Sequence, residues 1–436
     1  MRSLDQWLAY QTQVHPQTID LGLDRLRVVL ERLQWRQPRI PVITVAGTNG
    51  KGSVSAYCAS IMRAAGYRVG TFTSPHLRTY QERIRVHDRL AHSDELVAAF
   101  ERIEIARGSV ALTFFEFNAL AALLIFEAAR LDAWVLEIGM GGRLDAVNVV
   151  DPEVAVVTSV GLDHQEYLGN TLEAIAREKA GVFRAGRAAV IGGREPSPVL
   201  ESVAHAIKAP LKRLAIEYNY ILDGLGWRYR GTHWDLPHLP APALLGDIQF
   251  TNAATAIAAL EEIAPRLKIA AGAVAQGLSQ VRLMGRFQVI KPAATSPIWI
   301  LDVAHNPDAA RVLAHNLNAD ATPRRTFGVC GILADKDAAG IAQILEECID
   351  VWWCAPLDGA RGRSAVELAN EVRSQVSAIV IPAASVAAAC EAALQAATPQ
   401  DRVVVFGSFH TVGPALDWLE AAGWLPRAAL PEYTSQ

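Results

Sequence analysis

A β-branched run, Ile40–Ala46, passes directly into Gly47-Thr-Asn-Gly-Lys-Gly-Ser53 and then into a helical pattern. Glycines let the backbone curl so that successive N–H groups converge on anionic oxygens. The start of the following helix adds partial positive charge, and Lys51 adds a mobile point charge. The spelling differs from the usual G-x-x-x-x-G-K-[ST], because Gly52 intervenes and the hydroxyl comes one residue later, at Ser53. With a strand before, a helix after and a lysine inside, the string reads as a phosphate loop. A plain strand–helix turn with a solvated lysine leaves unexplained why four of the seven residues are Gly or Lys. Only seven of the 41 basic residues are lysines, so a lysine inside a motif is informative.

Further strand candidates, Arg68–Thr73, Ala133–Ile138, Val154–Ser159 and Ala188–Ile191, alternate with amphipathic stretches. After Ser53, Val54, Tyr57, Cys58, Ile61, Met62 and Ala65 share one helix face, and Gly66 supplies a stop. The alternation predicts an α/β chain with a mostly parallel sheet covered by helices. Residues 211–240 predict a small antiparallel excursion, with helical pattern resuming at Asn252–Ile263. A second series has strands at Ile298–Val303, Thr326–Cys330, Val351–Cys354, Ala378–Ile381 and Val403–Phe406, and helices at 338–348 and 384–396. Gly285, Pro292 and Pro297 mark the boundary. The expected organisation is an N-terminal P-loop domain over 1–284, a linker over 285–297 and a smaller C-terminal Rossmann-like α/β domain over 298–436.

Composition excludes some partners. With 41 Lys+Arg against 45 Asp+Glu, the net charge of −4 offers no global field for nucleic acid or anionic membrane. The N-terminus lacks a secretory h-region, and the apolar stretch Ala119–Phe126 is far short of the ~20 residues of a membrane span. Cys58, Cys330, Cys348, Cys354 and Cys390 form no CxxC pair and read as buried free thiols of a cytoplasmic protein.

Ligands of an open parallel sheet bind beyond the carboxyl ends of its strands. That edge collects Gly47–Ser53, Thr73–His76, Glu137–Asp145 and Ser159–His164. Glu137 ends an apolar strand, where a buried carboxylate needs a partner, either a divalent metal or Arg143. Ser74 offers a hydroxyl ligand, and His164 is either a ligand or a hydrogen-bonding loop residue. Asn170 with Glu173 three residues later predicts a capped helix start. On that helix Leu172, Ile175, Ala176, Ala180 and Phe183 form the apolar face, and Lys179 lies on it. Two readings stand for Lys179: a salt bridge to Glu137 or Asp163, or a neutral amine able to take up CO₂ as a carbamate.

The chain resembles the bifunctional dihydrofolate synthase/folylpolyglutamate synthase family of the Mur ligase superfamily. The matching strings are Ile19-Asp-Leu-Gly-Leu, Ala46–Ser53, Thr73-Ser-Pro-His-Leu, Leu112-Thr-Phe-Phe-Glu, Glu137–Asn148 and Asp163-His164. They continue with Arg177-Glu-Lys-Ala-Gly, Gly285-Arg-Phe, Leu301-Asp-Val-Ala-His-Asn-Pro and Phe406-Gly-Ser-Phe. The resemblance implies that the first domain is a P-loop ATPase domain that binds ATP and pteroate, and that the second is the glutamate side. It implies that Thr48, Asn49, Gly50, Lys51, Gly52 and Ser53 hold the ATP phosphates, with Asn252, Arg286 and Asp302 also contacting ATP. Ser74, Glu137, His164 and a carbamylated Lys179 would hold Mg²⁺. Lys51, Glu137, His164 and Lys179 would be the catalytic set. Thr18, Ile19, Asp20, Leu21, Thr113, Phe114, Phe115, Glu116, Leu144, Asp145 and Ala146 would line the pteroate pocket. His305 and Ser408 would serve glutamate.

The implied reaction is ATP-dependent amide ligation through an acyl phosphate, with dihydropteroate, reduced folates and L-glutamate as substrates, in a monomer without nucleic-acid or membrane partners. Domain closure would keep water from the intermediate. Asp145 and Leu112–Glu116 point to both activities. A ligase acting on a uridine-linked muropeptide would carry an extra domain before the phosphate loop, yet only 46 residues precede Gly47, fewer than the ~50 at which domains begin. A non-catalytic nucleotide switch would need no second substrate pocket.

Overall fold

Five β-branched or small residues, all buried, make Val42–Ala46 (β1) a central strand. The computed structural model describes residues 2–17, 19–224, 226–320 and 322–425. Around β1 are β2 (Val69–Phe72), β3 (Ile84–Val86), β4 (Arg89–Leu90), β5 (Ala133–Glu137), β6 (Val154–Val157), β7 (Ala188–Ile191) and β8 (Leu211–Arg213). The sheet order is β4-β3-β2-β5-β1-β6-β7-β8. From β2 to β8 neighbouring strands run parallel, while β3 and β4 pair antiparallel at one edge. β5, β6 and β7 are buried along their whole length, the pattern of strands covered on both faces.

The helices of this unit are α1 (Leu4–Val14), α2 (Asp24–Arg32), α3 (Lys51–Ala64), α4 (Ser93–Arg107), α5 (Phe114–Ala128), α6 (Gln165–Leu168), α7 (Leu172–Ala180), α8 (Pro198–Ala206), α9 (Ile248–Ile263) and α10 (Ala271–Gln280). The apolar stretch Ala119–Phe126 lies inside α5 and is buried throughout. Among the described residues no helix is long and apolar enough to cross a membrane.

The excursion expected over 211–240 divides. β8 extends the large sheet in parallel with β7, and β9 (Asn219–Leu222), β10 (Trp227–Arg230) and β11 (Asp235–Leu239) form a separate antiparallel sheet. Glu261 of α9 holds that small sheet by accepting from Tyr229 Oη (2.7 Å) and Trp234 N–H (2.6 Å).

The second unit has β12 (Gln288–Ile290), β13 (Ile298–Leu301), β14 (Thr326–Cys330), β15 (Val351–Cys354), β16 (Ile379–Pro382) and β17 (Arg402–Phe406) in the order β12-β13-β17-β14-β15-β16. Only β12 is antiparallel. Apolar clusters lie on both faces, one around Leu313, Ile341 and Trp352, the other around Trp299, Phe327 and Leu416. The segment expected as a linker thus carries an edge strand. Gln288–Ile290 can pair with β13, while Pro292 and Pro297 fall outside the paired residues. This unit takes Leu77–Thr79, Leu244–Ile248 and the residues from Leu283 on. All five cysteines are free and buried.

Candidate active site

β1 delivers the glycine-rich turn to the carboxyl end of the first sheet, beside β5, whose Glu137 pairs in register with Val45. At Gly47 (φ +147°) a Cβ would collide with Thr158 Oγ1, and at Gly50 (φ +87°) it would stand 2.7 Å from Asn252 Oδ1. These two positions therefore require glycine. Thr48 N–H donates to Ser159 O (2.9 Å), and Thr48 Oγ1 both donates to Gly161 O (3.1 Å) and accepts from Gly161 N–H (2.9 Å). Asn49 N–H donates to Ser159 Oγ (2.9 Å), and Asn49 O accepts from Thr158 Oγ1 (2.6 Å). Lys51 Nζ curls back onto the carbonyls of Gly47 and Thr48, 3.1 Å from each. Gly50 is the N-cap of α3 and supplies no side chain to its amides. An anion can take those donors. Gly52 and Ser53 are buried in the first turn, and Asn252 is buried on α9, its Nδ2–H donating to Gln249 Oε1 (3.1 Å).

Glu137 is 4% exposed. Ser74 N–H donates to its Oε2 (3.3 Å), and the charge of buried Arg83 acts on it. Arg143, the alternative partner for Glu137, is engaged by Glu178 (2.8 Å). Arg83 itself went unnoticed in the sequence. It donates from Nε to His76 Nδ1 (2.8 Å) and stands 5.6 Å from the Phe114 ring centroid. His164 adopts a left-handed conformation (φ 51°) at the start of α6, its N–H donating to Asp163 Oδ1 (2.8 Å). Among the described residues no group of three or more His, Cys, Asp or Glu gathers closely enough to hold a metal alone.

The cap of α7 is Thr171, which accepts from Ala174 N–H, rather than Asn170. A hydroxyl one residue nearer the helix reaches the third amide, and Asn170 is exposed. Leu172, expected on the buried face, is 45% exposed, whereas Ile175, Ala176 and Ala180 are buried and Lys179 is 3% exposed. Burial, with repulsion from Lys51, drives the Lys179 ammonium down to about 7 against the attraction of Asp163 and Asp145. Asp145, 2% exposed, accepts from Met140 N–H and Val147 N–H, both at 2.9 Å. Burial pushes its carboxyl up to about 7, while those amides and Lys51 pull it down. Lys51, Asp145, Asp163 and Lys179 thus form one electrostatic cluster.

Of the segments expected to line the pteroate pocket, Thr18 lies outside the described residues. Ile19, Asp20 and Leu21 are half-buried, as is Leu144, and Ala146 is buried. Thr113 caps α5 in a box with Glu116, a T-x-x-E spelling legible in the sequence. Phe115 packs on Phe72 (ring centroids 5.9 Å apart), close enough to Gly139 that a Cβ there would collide with its ring.

In the second unit, Asp302 accepts from Phe287 N–H and Ala304 N–H, both 2.8 Å, under the charge of Arg286. The Arg286 guanidinium lies 5.2 Å from the Phe409 ring centroid. His305 Nδ1 is 2.8 Å from Val303 O, and buried Ser408 caps the helix Phe409–Ala421 by accepting from His410 N–H (3.1 Å).

The Mur ligase middle domain matches residues 45–260, and the Mur ligase, glutamate ligase domain matches residues 285–409. The dihydrofolate synthase/folylpolyglutamate synthase of Escherichia coli (strain K12) is 43% identical over 418 residues, covering 96% of this chain and 96% of its own. The solved structure of E. coli FolC in complex with DHPP and ADP matches with a TM-score of 0.91 at 42% identity, covering 97% of this chain and 99% of that one. A bifunctional folylpolyglutamate synthase/dihydrofolate synthase with Mn, AMPPNP and L-glutamate bound matches with a TM-score of 0.87 at 42% identity, covering 96% of this chain and 98% of that one. At this identity and coverage, with both Mur ligase domains in sequence along it, the chain belongs to the dihydrofolate synthase/folylpolyglutamate synthase family.

Proposed function

We propose that this chain is an ATP-dependent acid–amino-acid ligase that joins L-glutamate to dihydropteroate and adds further glutamates to reduced folates. The observation that carries the reading is the uncapped start of α3 behind Gly47–Gly50, with Lys51 folded over it and Glu137, Asp145 and Lys179 at the same sheet edge. A carboxylate is a poor acyl donor. Its oxygen attacks the γ-phosphorus, the bond to the β-phosphate oxygen breaks, and ADP leaves. The glutamate amine then attacks the acyl carbon, loses a proton, and phosphate leaves.

Two anions must meet in the first step, so positive charge has to be held ready. Lys51 and the start of α3 supply it. Asn252, opposite Gly50, would fix the nucleotide on one side of the turn, and Arg286 and Asp302 would also contact ATP. Asp145 and the rings of Phe114 and Phe115 would border the pteroate, and His305 and Ser408 would take glutamate.

Ser74, Glu137, His164 and Lys179 would hold Mg²⁺, which supplies neutralisation of the phosphate oxygens when bound. A hard cation that keeps waters and phosphate oxygens suits a set with one buried carboxylate. Lys179 fits carbamylation because its depressed pKa leaves a large neutral fraction at pH 7. Its amine would add to CO₂ and release a proton, replacing a buried cation with an oxygen-bearing anion.

The test is phosphate release from ATP with Mg²⁺ and glutamate, comparing dihydropteroate with a reduced folate as acceptor. Release that depends on acceptor and glutamate together is expected. Turnover indifferent to both would reject ligation in favour of a nucleotide switch.

A further inference from the structure

Two segments expected at the acid substrate, the loop through Asp20 and the start of α5, are joined by a residue that no sequence motif singled out. Arg25, in the first turn of α2, donates from Nη1 to Asp20 Oδ2 (2.6 Å) and from Nη2 to Asp20 O (2.7 Å). Its Nε–H donates to Glu116 Oε1 (3.2 Å). Glu116 is buried, and its Oε2 accepts from Thr113 N–H (2.7 Å) and Thr113 Oγ1 (3.0 Å). His15 Nε2 approaches the same Asp20 Oδ2 (3.3 Å). One planar guanidinium therefore fastens the loop to the capped turn that carries Phe114 and Phe115. Three of its nitrogens are committed in a fork that the single ammonium of a lysine cannot reproduce. Phe115 packs on Phe72, and Phe114 meets Tyr80 edge-on (6.2 Å between centroids), so a shift of Glu116 moves both rings.

We infer that Arg25 is a positioning residue that sets the shape of the site for the aromatic-ring end of the acid substrate. The inference rests on the ligase reading above and names the residue on which that site's geometry turns. The phosphate loop is held by a separate set of bonds from Thr158, Ser159 and Gly161, so nucleotide binding should not follow Arg25.

The experiment compares wild type with Arg25→Gln, Arg25→Lys, Asp20→Asn and the double variant Arg25→Gln/Asp20→Asn, measuring KM for dihydropteroate and for ATP, kcat and thermal unfolding. Arg25→Gln is expected to raise KM for dihydropteroate about tenfold, equivalent to losing one good charge-assisted bond, with KM for ATP within about twofold. Arg25→Lys should not restore it. The double variant should be no worse than Arg25→Gln, because the two residues act as one unit. Should Arg25→Gln fail to fold, Asp20→Asn carries the comparison, since Asp20 is partly exposed. Equal rises in both KM values would mean general loosening and overturn the inference, as would a folded Arg25→Gln with unchanged KM for dihydropteroate. A wild type that releases no phosphate in response to dihydropteroate would sink the ligase reading instead, and this inference with it.

Discussion

Replacing Lys179 with methionine tests how the site stores charge. The side chain is 3% exposed, and burial with repulsion from Lys51 lowers it from 10.5 to about 7, net of attraction from Asp163 and Asp145. The gap between those two values, at about 1.4 kcal/mol per pH unit, sets about 5 kcal/mol against folding when the amine is protonated. Below pH 7 the folded and unfolded chains both carry the proton, and the full penalty acts. Between pH 7 and 10.5 the folded chain has released it while the unfolded chain keeps it, so stability rises with pH across that window. Methionine has similar length and no charge. Lys179→Met should therefore be more stable than wild type at pH 6, by up to about 5 kcal/mol, and the advantage should shrink steadily towards pH 10. Urea unfolding at pH 6, 8 and 10 in CO₂-free buffer measures this, with the first unit's transition as the one that responds. Adding bicarbonate should stabilise wild type and leave the variant unchanged. A variant no more stable than wild type at pH 6, or an advantage that persists at pH 10, would show the reasoning to be wrong.

Three further outcomes are expected. Lys51→Ala should abolish ligation while the chain stays folded, and should let the Lys179 pKa rise, because Lys51 is one cause of its depression; activity assays and the pH dependence of unfolding check both. Gly50→Ala should cost about 1–2 kcal/mol for a left-handed residue, more once its methyl crowds Asn252 Oδ1, and should raise KM for ATP; calorimetry and kinetics read the two effects. Asp145→Asn should remove the proton taken up by a carboxyl near pH 7 and impair the dihydropteroate reaction while ADP still binds, which titration calorimetry separates from kinetics.

Much of the strand pattern was legible because central parallel strands are continuous apolar runs. Ala188–Ile191, Thr326–Cys330 and Val351–Cys354 are where periodicity put them. Strands at the sheet edges were missed or misplaced. Ile84–Val86, Arg89–Leu90 and Gln288–Ile290 are short and partly exposed, so they carry little apolar signal. The helix start at residue 171 was displaced by one position, because Asn170 and Thr171 are both good caps and only backbone geometry chooses between them.

Residue types and their order along the chain were enough to place a glycine-rich turn between a buried strand and a helix, to set Glu137 and Asp145 at one sheet edge, and to put Lys179 on the apolar face of a helix. Local rules suffice there: glycine's freedom, helix starts and strand alternation act over a few residues. Only the tertiary structure could show that Arg25 clasps Asp20 to Glu116, which lies 91 residues beyond it, that Arg83 stands near Glu137, and that Arg143 is held by Glu178. It also brought Lys179 within the field of Lys51. Long-range charge pairs depend on which backbone segments the packed core brings together, and no periodicity in the chain records that.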